Sequence, residues 1–222
     1  MLIATWNVNS LKARLDRVTQ WVKENQPDVL CMQETKMKDE VFPALTFTEL
    51  GYESAHFGQG QWNGVAIISK VGLTDVVTNF AKPIEQDHEA RIISATCGGV
   101  KVVSVYVPNG RSLEDDHYKY KLEWMKKLKK HAAALGKPTD QIVIGGDFNI
   151  APTDDDVWDV RGMADDALMQ PESRDAYARL LTQGWTDALG LHNPRGGVWT
   201  YWDYQAGAWQ RDHGFRIDHA LL

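Results

Sequence analysis

The sequence is poor in cysteine, with two in 222 residues, Cys31 and Cys97. Each lies inside an apolar run of strand type, VLCMQE and IISATCGG. A disulfide framework is thereby excluded, and buried thiols in a reducing compartment fit better, so the expected location is the cytoplasm. No apolar run approaches the roughly 20 residues needed to span a bilayer. The N-terminus, MLIATWNVNS, has no basic segment leading into a long apolar one. A soluble, unprocessed chain with no membrane partner is expected. Basic residues are not in excess either: the net charge is −6 and the pI about 5.6. This excludes binding to nucleic acid through a broad basic surface, though not through a local basic rim. Internal repeats, linkers, low-complexity segments and Cys/His clusters at zinc spacing are all lacking. What is present is 43% hydrophobic and 24% charged residues, enough for one domain spanning 1–222 with a sizeable core.

The hydrophobic pattern alternates between helix and strand periods. LIATW reads as a short buried strand. SLKARLDRVTQWVKEN follows, with Leu11, Leu15, Val18, Trp21 and Val22 on one face behind Ser10 as N-cap, and Pro27 ends it. DVLCMQET is a second buried strand, so the opening is β-α-β and the two strands are expected to be parallel neighbours. Shorter runs follow, YESAHF, GVAIISK, DVVTNF, ARIISATC and KVVSVYV, which read as an antiparallel stretch. A helix over YKYKLEWMKKLKKHAAAL leads into the strand QIVIGGDFN. The tail holds a helix near Ser173 to Leu181, a Trp/Tyr-rich region and a last strand, RIDHALL. The pattern predicts a layered α/β sandwich with strand ends converging on one rim, where ligands of such sheets sit.

At those strand ends stand Asn7 and Asn9, Glu34, Tyr106 with Asn109, Asp147 with Asn149, and Asp218. One Asp or Asn after a strand is ordinary turn chemistry. Several together make a set of hard oxygen donors of the kind Mg²⁺ takes, usually one or two carboxylates completed by water and substrate phosphate. In GGDFN, Asp147 and Asn149 are two apart and would share a face in an extended segment. Gly145 and Gly146 would let the backbone turn and a ligand approach. An acid beside an amide suits phosphoryl displacement, the acid orienting or deprotonating water and the amide donating to a phosphate oxygen as charge builds. A purely structural Asx turn is the competing reading of the same stretch.

The motifs TWNVNS, MQETK, NGVAIIS, YVPNG, GGDFNIAPTDDDVW, TYWDY and GFRID resemble, in order and spacing, the exonuclease III family of abasic-site DNA repair nucleases, within the endonuclease/exonuclease/phosphatase superfamily. The resemblance implies a four-layered α/β sandwich of two packed mixed sheets flanked by helices. It implies Mg²⁺, with Mn²⁺ as substitute, held by Asn7, Glu34, Asp147 and Asn149. Tyr106 would contact the scissile phosphate, supported by Asn109; Asp147 would activate water, Asn149 would bind phosphate, and Asp218 would orient a histidine. The family continues past R-I-D into further strand structure and a Ser-Asp-His motif, whereas this sequence stops at Leu222. His219 is not a replacement, because it should face away from the partner side of Asp218. The expectation is a chain incomplete at its C-terminus, with terminal strands missing; the other reading is the loss of a phosphate-polarising group.

For DNA contact, Trp62 and Asn63 resemble the family's minor-groove loop, and Arg91 and Arg111 its phosphate contacts, although a solvated surface arginine is an equal reading for each. Tyr201, Trp202, Phe215 and Ile217 are assigned to a pocket for an extruded abasic sugar. With nine tryptophans, most must be structural, Trp199 among them. The implied function is Mg²⁺-dependent cleavage of DNA on the 5′ side of abasic sites by a monomer, extending to 3′-to-5′ exonuclease and 3′-phosphatase activity on 3′ ends of double-stranded DNA. Two alternatives stand beside it: a catalytically weakened DNA-binding homologue, and a phosphatase of the same superfamily acting on inositol phosphates or lipids.

Overall fold

Five residues of β1 (Ile3–Asn7) and five of β2 (Val29–Gln33) pair in parallel, Ile3 with Val29 through Asn7 with Gln33, because the connection between them is the amphipathic α1 (Leu11–Asn25). Ser10 caps α1 by accepting from Ala13 N–H, and Gln26, in the left-handed region, ends it one residue before Pro27. The computed structural model describes residues 1–137 and 139–222. Its contacts divide the chain into two compact units, Met1–Tyr106 with Thr139–Asp147, and Val107–Pro138 with Phe148–Leu222.

The first unit contains two sheets. In one, the order is β1-β2-β4-β3, with β3 (Glu53–Phe57) and β4 (Val65–Ser69) antiparallel to each other and β4 antiparallel to β2. In the other, β5 (Thr74–Thr78), β6 (Ile92–Cys97) and β7 (Val100–Tyr106) form an antiparallel run, and β8 (Ile142–Asp147) joins β7 in parallel. Both sheets are therefore mixed, as the alternation of periods predicts. Val29, Cys31, Val65 and Ile67 pack face to face against Ile93, Ala95, Cys97 and Val102. Both cysteines are free and buried, and burial pushes the Cys31 thiol up to about 12. Polar links cross this interface as well: Gln33 Nε2 donates to Ser104 Oγ at 3.0 Å, so the buried amide has a partner, and Ser104 Oγ donates to the Met32 carbonyl at 3.4 Å. The other face of the first sheet is covered by Leu11, Val18 and Val22 of α1 and Phe47 of α2 (Ala44–Glu49), a short helix that the sequence pattern does not announce.

The second unit holds α3 (Asp116–Ala134), α4 (Pro171–Leu181), α5 (Ala188–His192), the two-residue strands β9 (Tyr201–Trp202) and β10 (Gly214–Phe215), α6 (Ala208–Arg211) and β11 (Asp218–Leu221). No helix among the described residues is long and apolar enough to cross a membrane. An ionic knot ties this unit together. Arg216 donates from Nε to Asp156 Oδ1 at 2.6 Å and from Nη1 to Asp187 Oδ2 at 2.6 Å, all three side chains being buried or nearly so. His219 completes it, its Nδ1 3.2 Å from Arg216 Nη1 and its Nε2 2.8 Å from the Ile150 carbonyl. Arginine can only donate and a carbonyl can only accept, so His219 carries its proton on Nε2 and is neutral. It faces the interior, as the alternation along β11 predicts.

Burial, then the adjacent Arg216 cation, push His219 down to about 4 from an ordinary 6.5. A histidine depressed in the fold takes up its proton first in the unfolded chain, so stability is full above about pH 6.5 and falls as pH drops through that window. We expect wild type to lose roughly 3 kcal/mol between pH 6.5 and pH 4 through this residue, and His219→Gln to lack that share of the slope. Urea unfolding at stepped pH measures it; parallel slopes in the two proteins would contradict the assignment.

Candidate active site

The first unit gathers an amide and two carboxylates, Asn7, Glu34 and Asp147, at the ends of β1, β2 and β8. Asn7 Nδ2 donates to Glu34 Oε1 at 2.8 Å and to Asp147 Oδ2 at 2.9 Å, so one amide group holds two carboxylates 113 positions apart in sequence on the same side of the sheets. Asn7 is itself fixed by accepting from Asn9 N–H at 3.0 Å. Lys36 Nζ lies 2.8 Å from Glu34 Oε2 and donates to Asn9 Oδ1 at 2.6 Å, supplying positive charge beside the acids. The Tyr106 hydroxyl also faces Glu34. Burial acts to raise the Glu34 carboxyl, but the hydrogen bonds from Asn7 and Lys36, the charge of Lys36 and the Tyr106 hydroxyl outweigh it and hold Glu34 below the ordinary range. Burial, then the charges of Glu34 and Asp147, push Tyr106 far up, so its hydroxyl keeps its proton and remains a donor.

Arg91 is not the solvated surface arginine of the alternative reading. It is 4% exposed, its guanidinium sits 4.5 Å over the Tyr106 ring, and it is bonded to Glu89 and to the Tyr106 carbonyl. Trp62 is 66% exposed on its loop, whereas Asn63 is buried in the left-handed region and its carbonyl accepts from Lys36 N–H at 2.9 Å.

In the second unit, Asn109 Nδ2 donates to Asn149 Oδ1 at 3.2 Å, and Asn149 Nδ2 donates to the Val107 carbonyl at 2.9 Å. Beneath the pair lies Lys121, fully buried, whose Nζ donates to the carbonyls of Asn109, Asn149 and Ala167 at 3.1, 2.7 and 3.0 Å. Asp218 is half-buried, its N–H donating to Thr200 Oγ1 at 3.0 Å. Arg111 is exposed, 3.6 Å from Asp115. Tyr201 and Trp202 are half-buried on β9, and the Trp202 indole N–H donates to Asp212 at 3.1 Å. Phe215 and Ile217 belong to a small core with Ala151, Val157, Leu168 and Met169. Trp199 packs against Gly214, where any Cβ would lie 2.3 Å from its Cγ.

Two details of the GGDFN stretch depart from the sequence reading. Asn149 has φ 49°, so the segment after Asp147 is not extended and strand alternation does not govern where Asn149 points. Gly146 is required by its neighbour strand: with φ 155°, a Cβ there would lie 2.0 Å from the Val105 carbonyl oxygen. Lys36 and Lys121 were missed as well. Lys121 could have been found, since it falls at helical spacing with buried Tyr118, Met125 and Leu128.

As a donor set, the group offers the carboxylate oxygens of Glu34 and Asp147 beside the Lys36 ammonium, with the Asn7 NH₂ between the two acids. Among the described residues no group of three or more His, Cys, Asp or Glu side chains is placed to hold a metal ion. The group thus fits a hard cation that takes two carboxylates and leaves its remaining positions to water or substrate, as Mg²⁺ does, and does not fit zinc.

A family model described as the Endonuclease/Exonuclease/phosphatase family matches residues 4–222. The chain belongs to that family. It is 30% identical to the DNA repair nuclease APEX1 of Danio rerio, over 100% of this chain and 73% of that protein, and 30% identical to exodeoxyribonuclease III of Haemophilus influenzae, over 100% and 87%. An AP endonuclease from Archaeoglobus fulgidus has a TM-score of 0.94 and 37% identity, covering 100% of this chain and 86% of that one. A 3′ phosphatase from Neisseria, solved with a product DNA hairpin, gives the same values. This family member is therefore a nuclease of the exonuclease III and AP endonuclease type, and its two packed mixed sheets with flanking helices are the architecture the resemblance implied.

In this family member, Gly146→Ala is expected to cost at least about 2 kcal/mol, combining a backbone unsuited to a side chain with a backbone clash. Urea unfolding measures it. A loss under about 0.5 kcal/mol would show that the strand contact does not require glycine.

Proposed function

We propose that the protein hydrolyses the DNA phosphodiester on the 5′ side of abasic sites with Mg²⁺ or Mn²⁺ as cofactor, and that it also removes nucleotides and phosphate from 3′ ends. The observation that carries this reading is the single Asn7 amide bonded to both Glu34 and Asp147, which brings two separate strand ends to one point of negative charge. Glu34 and Asp147 would hold the cation through carboxylate oxygens, and Asn7 would join them by turning its amide oxygen inward. Bound there, the cation would supply Lewis-acid stabilisation of charge on phosphate oxygens. Asp147 would orient the attacking water and take its proton. Tyr106, kept protonated by burial and by the neighbouring acids, would donate to a phosphate oxygen, and Asn149, braced by Asn109 and Lys121, would donate an amide N–H as charge builds. Trp62 and Arg111 are the exposed groups suited to the DNA duplex. Arg91, by its contact with Tyr106, is better suited to steadying that ring. The half-buried Tyr201 and Trp202 would face the displaced sugar, with Phe215 and Ile217 behind them as packing. The DNA-bound state of the Neisseria neighbour supports a duplex substrate.

The test is cleavage of a duplex carrying one tetrahydrofuran abasic analogue, with and without Mg²⁺. Wild type should nick it only with the cation. Glu34→Ala and Asp147→Asn should each reduce the rate at least about a hundredfold, with far-UV circular dichroism unchanged. Faster turnover of an inositol phosphate than of the duplex, or binding of the duplex with no cleavage at saturating Mg²⁺, would overturn the reading.

A further inference from the structure

Thr35, His56 and Asp39 form a row of close polar contacts within the first unit that the nuclease reading does not use, a hydrogen bond between Thr35 and His56 and an ion-pair contact between His56 and Asp39. Thr35 Oγ1 lies 2.8 Å from His56 Nε2, and His56 Nδ1 lies 2.8 Å from Asp39 Oδ1. The carboxylate beside Nδ1 favours a proton on that nitrogen, which leaves Nε2 to accept from the threonine hydroxyl. The order hydroxyl, imidazole, carboxylate is that of a nucleophilic triad, but Thr35 is fully buried and cannot reach a substrate. The row is instead built into its surroundings. Phe42 stacks on the His56 ring at 4.5 Å and 18°. Asp39 Oδ1 also accepts from Gly58 N–H at 2.8 Å. Two glycines make room for it: a Cβ on Gly58 would lie 2.4 Å from His56 Cε1, and one on Gly64 would lie 2.1 Å from Thr35 Oγ1.

The residues on either side of Thr35 show what the row holds. Glu34 and Lys36 both have left-handed backbone, φ 54° and 52°. Non-glycine residues keep such conformations only where the surroundings fix them. Backbone bonds contribute, Ser10 N–H to the Glu34 carbonyl at 2.7 Å and Lys36 N–H to the Asn63 carbonyl at 2.9 Å. Between the two strained residues, the one side chain is that of Thr35, and His56 is its partner. We propose that Asp39 and His56 are positioning residues, which act through the Thr35 hydroxyl to hold the Glu34-Thr35-Lys36 turn so that the Glu34 carboxylate meets Asn7 and the Lys36 ammonium meets Glu34. The inference rests on the reading of Glu34 as a cation ligand for its consequence, and on the turn geometry alone for its structural content. Outer residues that orient a ligand usually change metal affinity by about 10–100-fold when lost.

The test uses the full chain with Mn²⁺ as probe, by isothermal titration, together with amide hydrogen exchange of Ser10 and Lys36 in the metal-free protein. Thr35→Val and His56→Ala should each weaken Mn²⁺ binding about 10–100-fold and speed exchange at both amides about tenfold or more relative to the core strands. Thr35→Ser, which keeps the hydroxyl, should stay within about threefold of wild type in both readouts. Asp39→Asn, changed at the solvent-exposed end, should give the same losses in milder form, and serves if the buried substitutions unfold the chain. The double variant Thr35→Val/His56→Ala should be no worse than either single one, because both cut the same row. Unchanged exchange at Ser10 and Lys36 in Thr35→Val, or equal losses in Thr35→Ser and Thr35→Val, would overturn the proposal. If wild type binds no Mn²⁺ while exchange responds as stated, the cation reading fails and the positioning role stands.

Discussion

The arrangement of the first unit depends on one amide. Two carboxylates from chain segments far apart cannot lie side by side in a partly dry environment unless something positive or donating stands between them. Asn7 supplies both hydrogens of a single NH₂ group to Glu34 and Asp147, and Lys36 adds a full charge on the outer oxygen of Glu34. This is a polar cluster built to tolerate concentrated negative charge. A protein with no use for that charge would be more stable with apolar groups there.

The frame that aims these groups is a pair of closely packed sheets, and several turns leaving its strands carry strained backbone. The sheets pack through a close apolar face that polar contacts cross at Ser104, which accepts from Gln33 and donates to the Met32 carbonyl. The turns that leave the strands carry unusual backbone: Asn9, Ser10, Glu34 and Lys36 in the first unit, Asn149 and Arg111 in the second, all have positive φ. Such residues cost energy and persist where contacts over-determine them, commonly at functional positions. Here the contacts are specific: the Thr35 to His56 to Asp39 row around Glu34, and Lys121 under Asn149. The second unit repeats the pattern with Arg216, whose two acids and neutral histidine are all satisfied.

Much of this was legible in the sequence wherever periodicity carried it. The parallel pairing of the first two strands, the antiparallel middle, the two long helices and the acids at strand ends follow from alternation and helical spacing, and the structure places Glu34 and Asp147 together. What failed to show was set by contacts between distant residues. Nothing in GGDFN says that Gly146 is demanded by Val105 across the sheet, or that Asn149 turns left-handed. Arg91 looks like any surface arginine until the Tyr106 ring is found beneath it. His56 and Asp39 are 17 positions apart, with a turn and a helix between them, and no spacing rule joins them. Lys121 was hidden by the lysines around it, although its helical phase placed it inside.

The central claim is that Glu34 and Asp147 together form the seat of one divalent cation. Anomalous diffraction from crystals soaked in Mn²⁺ tests it most directly. The account predicts one strong peak within bonding distance of a carboxylate oxygen from each residue, lost when Glu34 is replaced by alanine. A peak bound elsewhere on the chain, or one that persists unchanged in the alanine variant, would contradict it.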